Sequence, residues 1–200
     1  MSPLINILIR TAKRPAEFRK CIQSVQEQSY KNVRLIVCTD DLDSLPYVQE
    51  ELYYSRLKYE LFTVASSGVP FHWNFYCNNL KSKVTAGWFF YLDDDDTIAD
   101  SSRLEEAVTL GLVDTNAGYI FQFLRGSTRK PALDFNPSEI RRGKIGGSCI
   151  FLNHAHKEIA HWDGRKAADY RFIKAVAQKL PLKFVPIVVV KAGNNGRHGK

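Results

Sequence analysis

A run of apolar residues that ends in four consecutive aspartates constrains this chain more than any other feature. Residues 88–92 have the composition of a buried strand, and Asp93–Asp96 follow directly. Two carboxylates about 4 Å apart repel by roughly 4 kcal/mol at an effective dielectric constant near 20, so solvent, protons or a cation must relieve the run. Because Mg²⁺ and Mn²⁺ prefer oxygen ligands and accept phosphate beside them, the run predicts a metal–phosphate site at a strand end. The alternative is a solvated acidic turn.

Composition predicts a globular domain without membrane spans. The 200 residues are 44% apolar, which suits one domain with its own core, and no apolar stretch approaches the ~20 residues that cross a bilayer. A net charge of +7 favours an anionic partner: a nucleotide, a lipid phosphate, a membrane surface or nucleic acid. The N-terminus has no signal-peptide pattern. The four cysteines show no CxxC spacing, so neither a zinc site nor a redox pair is predicted. We therefore expect a cytoplasmic protein, with peripheral contact at the inner membrane face left open.

Strand and helix patterns alternate through the first half. Four apolar runs predict strands: residues 4–9, 33–38, 61–64 and 88–92. Three stretches of helical periodicity separate them: residues 15–28, 49–56 and 73–84. This alternation predicts a mostly parallel central sheet with helices on both faces. Ligands bind beyond the carboxyl ends of such strands, so we expect three polar strand ends to converge: Arg10-Thr11, Thr39-Asp40 and the aspartate run.

The second half has a more mixed pattern. Helices are predicted at residues 100–110 and 167–178, and strands at 119–123, within 144–152 and at 184–190. Residues 126–142 are predicted to form a basic loop. We expect one domain over residues 1–192, followed by a basic, glycine-rich flexible tail over 193–200.

Three motif blocks resemble the family 2 glycosyltransferases, which have the GT-A fold. The first block covers residues 5–40. The second combines Asn79, Gly87 and the strand into the aspartates. The third is Trp162-Asp163 with Asp169-Tyr170 at a helix start. The resemblance extends over roughly residues 4–175 and implies a single α/β, Rossmann-like GT-A domain. It also implies inverting, metal-dependent transfer of a sugar from a nucleoside-diphosphate sugar, most simply a UDP-sugar, with Mn²⁺ or Mg²⁺ as the cofactor.

By this resemblance, the aspartates form a DxD-type motif. Asp95 is expected to bind the metal directly, with Asp93 in support and Asp94 on the ribose. Four aspartates in a row permit more than one register, and Asp96 is expected either to face water or to cap the next turn. His198 in the tail is expected to complete the metal ligands, with a solvated histidine as the alternative.

The resemblance also assigns nucleotide contacts. Thr11 and Arg14, after the first strand, are expected to hold the base and the diphosphate, and Asp40 is expected to bind the base. Asn79 matches an asparagine on the helix before the metal strand. The alternatives are an Asx-turn at Asp40, a solvated helix start at Arg14 and an ordinary surface amide at Asn79.

Asp169 is implied as the general base that takes the proton of an acceptor hydroxyl. The alternative is a helix N-terminal charge. Gly146 and Gly147 are expected to let an acceptor approach the backbone closely, or to form a plain turn, and Asp163 is a lesser acceptor candidate. The acceptor is expected to be a saccharide, a lipid-linked saccharide or another hydroxyl compound.

The chain departs from the family pattern at three positions. Ala12 stands where an aromatic commonly stacks on the base, Asn78 stands where many members have an arginine, and Ala168 stands where a glutamate is usual. The chain is also short for the family, so the acceptor-binding part is expected to be reduced or supplied by a partner.

Two other functions compete with glycosyl transfer. A nucleotidyltransferase would need a glycine- and lysine-rich loop after the first strand, and no glycine lies near Lys13-Arg14. A non-catalytic binding module would not need the intact aspartates together with Asp169. Nucleic acid is not an expected partner, because no RNA- or DNA-binding motif is present.

Overall fold

The first half of the chain builds a parallel sheet. In the computed structural model, which describes residues 2–66 and 68–193, the strands here are β1 (Ile5–Arg10), β2 (Val33–Thr39), β3 (Lys58–Thr63) and β4 (Trp88–Tyr91). Strand β1 pairs in parallel with both β2 and β4, and β2 pairs in parallel with β3. Three helices connect these strands: α1 (Pro15–Gln26), α2 (Leu45–Ser55) and α3 (Trp73–Ser82).

The second half completes the sheet with mixed strand directions. Its elements are β5 (Thr97–Ile98), α4 (Arg103–Leu110), β6 (Gly118–Arg125), β7 (Thr128–Lys130), β8 (Ile150–Asn153), α5 (Ala168–Ala177) and β9 (Leu182–Ala192). Strand β8 lies antiparallel between β4 and β6, and β6 runs parallel to β9. The strand order is β3-β2-β1-β4-β8-β6-β9-β5, with β7 paired to β6. The predicted α/β class is confirmed. None of the described helices combines the length and apolarity needed to cross a membrane.

Several boundaries differ from the sequence prediction. Strands β5 and β7 were not predicted, because two and three residues are too few to show a periodicity. Strand β3 begins at Lys58 rather than Leu61, because as an edge strand it exposes its first residues. Strand β9 continues through Pro186, and its pairing with β6 shifts register between Ile120 and Gln122. Proline cannot donate to a ladder, so an irregularity near it is expected.

The junction of β1 and β4 fixes where the aspartates leave the sheet. Buried Asn6 donates through Nδ2 to the carbonyls of Ala86 and Trp88, at 2.8 and 3.0 Å. Gly87 has φ +76, and a Cβ there would lie 2.2 Å from the carbonyl oxygen of Leu4, so only glycine fits. Strand β4 is therefore locked beside β1 directly before the acidic run.

Candidate active site

The ends of β1 and β4 meet through an ion pair. Arg10, the last residue of β1, places Nη2 3.1 Å from Asp93 Oδ1. Its Nη1 donates to the carbonyl of Trp73 at 2.9 Å. Arg10 therefore joins β1, the start of α3 and the aspartate run, and the predicted convergence of polar strand ends is confirmed for this pair.

Arg14 forms ion pairs with the next two aspartates. Its Nη2 lies 2.7 Å from Asp94 Oδ1, and its Nη1 lies 3.5 Å from Asp95 Oδ1. Both carboxylates are buried, with side chains 1% and 6% exposed, whereas Arg14 is 39% exposed. Pro15 begins α1 directly after it, so the helix start holds this guanidinium over the strand end.

Two carboxylate oxygens in this cluster are buried without a partner. Within the described residues, neither Asp94 Oδ2 nor Asp95 Oδ2 has a hydrogen-bond partner. Burial raises the pKa of Asp94 to about 6, although Arg14 and a hydrogen bond from Thr11 oppose the rise. Burial, with Asp93 adding to it, also raises the pKa of Asp95. Unpaired buried carboxylate oxygens are costly, and a cation with hard oxygen preference fits them.

A metal at this cluster needs ligands from outside these side chains. Among residues 2–66 and 68–193, no three His, Cys, Asp or Glu side chains lie together so that they could hold a metal ion. Phosphate oxygens can supply the remaining positions for Mg²⁺ or Mn²⁺. His198, which was predicted to contribute, lies outside the described residues.

Asp96 is turned inward rather than toward water. Its side chain is buried, and Oδ1 accepts the backbone N–H of Gly193 at 2.9 Å. Burial, with Asp93 adding to it, raises the pKa of Asp96, while the Gly193 N–H opposes the rise. A Cβ at Gly193 would lie 2.1 Å from the carbonyl oxygen of Asp95. The end of β9 therefore packs directly against the acidic run.

The end of β2 forms a second polar group near the same sheet edge. Asp40 Oδ2 accepts from the Tyr76 hydroxyl at 2.7 Å and lies 3.4 Å from His72 Nε2. Thr11 is buried, and its Oγ1 lies 3.3 Å from the hydroxyl of Tyr47 on α2. Asp40 and Thr11 thus lie at the carboxyl ends of neighbouring strands, where a ligand of an α/β sheet binds.

The two adjacent asparagines of α3 have different environments. Asn78 donates through Nδ2 to the Trp162 carbonyl and accepts the Trp162 N–H through Oδ1, both at 2.9 Å. Asn79, the predicted nucleotide contact, lies on the exposed side of the helix. Asn78 therefore fastens the segment before α5 to α3.

The start of α5 brings Asp169 to the glycine pair. Ala167 has φ +61, a strained conformation for alanine, and Asp169 follows in the first helical turn. A Cβ at Gly147 would lie 2.8 Å from the Trp162 ring and 3.9 Å from Asp169 Cβ. Burial raises the pKa of Asp169, Asp93 adds to the rise, and the Tyr170 N–H and Arg171 oppose it. A Cβ at Gly146 would instead lie 3.2 Å from the Phe123 ring.

Asp163 is engaged by two arginines. Arg171 Nε donates to Asp163 Oδ2 at 2.6 Å, and Arg165 Nη2 donates to the same oxygen at 3.0 Å. The hydrogen bonds from Arg171 hold the pKa of Asp163 well below its usual range. The carboxylate therefore braces the loop that precedes α5.

Sequence reasoning did not identify His72, Tyr76 or Gly193 as site residues. His72 and Tyr76 lie more than 30 positions from Asp40, and no motif marks them. Gly193 was assigned to the tail, although its N–H bonds to Asp96. The glycine content of residues 193–199 was the one signal that a close backbone approach occurs there.

Comparison with protein-family models decides the family. The model described as "Glycosyl transferase family 2" matches residues 7–179. The chain belongs to this family. The match includes both strand ends, the aspartate run and Asp169, so the predicted resemblance is confirmed. No curated protein matches the chain.

Solved structures of this fold superpose on the family 2 domain. TarS 1-349 of S. aureus matches with a TM-score of 0.74 at 13% identity, covering 95% of this chain and 60% of TarS 1-349. The same TarS fragment in complex with UDP-GlcNAc matches with a TM-score of 0.70 at 11% identity, covering 98% and 60%. The mannosyltransferase PcManGT from Pyrobaculum calidifontis, in complex with GDP-Man and Mn²⁺, has a TM-score of 0.72 at 14% identity, covering 98% and 59%. These identities establish the GT-A fold alone, and the chain spans about three fifths of each neighbour's length.

Proposed function

We propose that this chain is an inverting, metal-dependent glycosyltransferase that moves a sugar from a nucleoside-diphosphate sugar, most simply a UDP-sugar, to an acceptor hydroxyl. The observation that carries the proposal is the cluster in which Asp94 and Asp95 keep buried, unpartnered oxygens beside Arg14. Family membership supports it. So do the ligands of the structural neighbours, which are UDP-GlcNAc in one case and GDP-Man with Mn²⁺ in another.

The donor nucleotide is assigned to the ends of β1 and β2. In this proposal Asp40 accepts from a base N–H, Thr11 and Asp94 contact the nucleoside, and Arg14 binds the diphosphate. The sequence match also assigns Asn79, which is exposed on α3, to this group.

The cofactor, Mn²⁺ or Mg²⁺, is assigned to Asp93 and Asp95, with His198 of the proposed tail as a further ligand. When bound, such an ion neutralises the charge that develops on the leaving diphosphate. Arg10 and Arg14 supply positive charge at the same place, because they lie against Asp93 and Asp95. The residues of the cluster therefore suit an anionic leaving group.

Asp169 is proposed to act as the general base. Its carboxylate takes the acceptor's hydroxyl proton while the oxygen forms a bond to the anomeric carbon and the bond to the diphosphate breaks. A raised pKa brings a carboxylate closer to the range where general-base catalysis at neutral pH is efficient, and burial beside Asp93 gives that direction. A side chain at Gly147 would meet Trp162, and the acceptor is proposed to approach the bare backbone of this glycine closely.

The acceptor side is assigned to Gly146, Gly147 and, less directly, Asp163. The acceptor is proposed to be a saccharide, a lipid-linked saccharide or another hydroxyl compound. Basic residues of the segment 125–142 suit an anionic acceptor or the inner face of a membrane. A cytoplasmic location completes the proposal.

The first test is thermal unfolding with UDP, GDP, CDP and dTDP, each with and without Mn²⁺. A ligand at 100 times its dissociation constant stabilises by about 2.7 kcal/mol, which raises Tm by roughly 5–10 °C. A metal-dependent shift with one diphosphate supports the proposal, and no shift with any of them contradicts it.

The second test separates an enzyme from a binding module. Asp169→Asn is expected to keep nucleotide binding and to lose transfer from the preferred nucleotide sugar, followed as release of the nucleoside diphosphate. Glu50→Gln, a matched change of an exposed acid on α2, is the control and is expected to keep both. An Asp169→Asn variant with full turnover would refute the role of this residue.

A further inference from the structure

The turn that begins α3 gathers four aromatic rings beside Asp40. The His72 ring lies 5.2 Å from the Trp73 ring and 5.6 Å from the Tyr76 ring, and Phe71 lies 5.4 Å from Trp73. Phe71 has φ +58, a rare conformation for an aromatic residue and one that costs energy. The strained backbone holds these rings together, and strained residues of this kind are concentrated at functional sites.

His72 is fixed at both edges of its ring. Its Nδ1 lies 3.0 Å from the carbonyl oxygen of Val69, and its Nε2 lies 3.4 Å from Asp40 Oδ2. The side chain is 24% exposed. The imidazole is therefore held in one orientation next to the carboxylate while part of it stays accessible to a ligand.

Asp40 directs its two oxygens differently. The Tyr76 hydroxyl and His72 both contact Oδ2, so within the described residues these two contacts leave Oδ1 to a ligand. A carboxylate oxygen accepts from a base that has a ring N–H, such as uracil, thymine or guanine, and repels the N3 lone pair of cytosine. The two contacts on Oδ2 fix the orientation of the Asp40 carboxylate and therefore the direction in which Oδ1 accepts a hydrogen bond.

The aromatic that normally follows β1 is absent, because that position is Ala12. Thr11 and Asp40 close the other side of the same sheet edge, at neighbouring strands β1 and β2. A nucleobase that donates to Asp40 would thus find no aromatic ring after β1 on which to stack. Among the described residues, the rings that contact Asp40 are those of Tyr76 and His72.

We propose that His72 is a specificity-determining residue of the nucleotide subsite, and that its ring forms the wall against which the nucleobase lies in place of an aromatic after β1. The inference rests on the proposed function, since it requires a nucleoside diphosphate at this edge. It goes further by moving the base-stacking contact from the residues after β1 to the turn before α3. Stacking of one base on an aromatic ring typically changes affinity about tenfold or more.

The test compares His72→Ala, His72→Phe and the wild type by isothermal titration calorimetry with Mn²⁺ present. The ligands are whichever of UDP, GDP, CDP and dTDP binds the wild type, and inorganic pyrophosphate, which has no base. His72→Ala is expected to weaken nucleotide binding about tenfold and to leave pyrophosphate binding unchanged. His72→Phe, which keeps a ring, is expected to stay within about threefold of the wild type for the nucleotide. Thermal unfolding of each variant confirms that it is folded, and His161→Ala, an exposed histidine elsewhere, is the control.

Three results would overturn the inference. Unchanged nucleotide affinity in His72→Ala would exclude a base contact. Equal weakening of nucleotide and pyrophosphate would indicate an effect on the diphosphate instead. A His72→Phe variant as weak as His72→Ala would exclude stacking. A wild type that binds none of the four diphosphates would instead refute the proposed function, so the two failures are distinguishable.

Discussion

Arg14 Nη2 lies 2.7 Å from Asp94 Oδ1, and the carboxylate it neutralises is 1% exposed. The same guanidinium reaches Asp95 Oδ1 at 3.5 Å. One arginine thus balances part of the negative charge of two buried carboxylates, a charge that the proposed metal ion would also balance. The protein itself therefore compensates the aspartate run in part.

Arg14 is therefore expected to compete with a metal ion. Arg14→Gln should raise the affinity for Mn²⁺ in the absence of nucleotide by about tenfold, or about 1.4 kcal/mol, because the carboxylates lose their competing cation. Titration of free Mn²⁺ by electron paramagnetic resonance measures this. Arg19→Gln, a change of an exposed arginine on α1, is the control. Unchanged or weaker Mn²⁺ binding in Arg14→Gln would show that the arginine supports the metal site instead.

Asn78 and Asn79 are expected to have different roles: Asn78 stabilises the fold, and Asn79 is a proposed nucleotide contact. Asn78→Ala should lower the free energy of unfolding by about 2 kcal/mol, because it removes two hydrogen bonds to Trp162 and leaves backbone groups unpaired. Asn79→Ala should change it by less than about 0.5 kcal/mol, as is usual for an exposed position. Urea unfolding measures both. Weaker nucleotide binding in Asn79→Ala would support the assignment of Asn79 to the donor subsite. Unchanged binding would refute that assignment.

The ion pair of Asp163 with Arg171 predicts a pH dependence of stability. The folded-state pKa of Asp163 is held below its ordinary value of 3.8, so its contribution is present above pH 3.8 and is lost as the pH falls below that value. Asp163→Asn should lower the free energy of unfolding by about 1 kcal/mol at pH 7 and by less at pH 3. The value is kept small because solvent screens a partly exposed ion pair. Urea unfolding at the two pH values measures this, with Asp43→Asn, an exposed acid, as the control. A difference that stays constant between pH 7 and pH 3 would argue against the ion pair.

All four cysteines are expected to resist thiol reagents in the native protein. Cys21, Cys38, Cys77 and Cys149 are buried. Burial raises the pKa of Cys77 from 9.0 to about 11 and that of Cys149 to about 12. The thiolate is the reactive form, so native Cys77 should react with Ellman's reagent about a hundredfold more slowly than a free thiol, and all four should react in guanidinium. Rapid modification of any one of them in buffer would show that the structure around that cysteine opens locally.

The parallel half of the sheet could be predicted from the sequence because its strands are apolar and separated by periodic helices. The five residues Ile5–Ile9 of β1 are all buried, and such a run is visible without any pairing information. Strands β5 and β7 could not be predicted, because two or three residues carry no periodicity and depend on partners far along the chain.

The acidic part of the site could be predicted for a similar reason, since four adjacent aspartates require compensation. The compensation by arginine was not predicted, because Arg10 was expected only to converge with the aspartates and Arg14 was assigned to the nucleotide. The contact between His72 and Asp40 could not be predicted, because it joins a loop to a strand end across 32 positions. Asn78 and Asn79 are neighbours in sequence but lie about 100° apart around α3, so only the packed structure distinguishes them.

The close approach of Gly193 to Asp95 has a practical consequence for anyone who prepares this protein. Lys200 is seven residues beyond Gly193, a distance of at most about 25 Å in extended chain. A polyhistidine purification tag attached after Lys200 would begin within reach of the acidic carboxylates and would bring imidazoles that bind the same ions. Metal titrations are therefore best carried out with an N-terminal or cleaved tag.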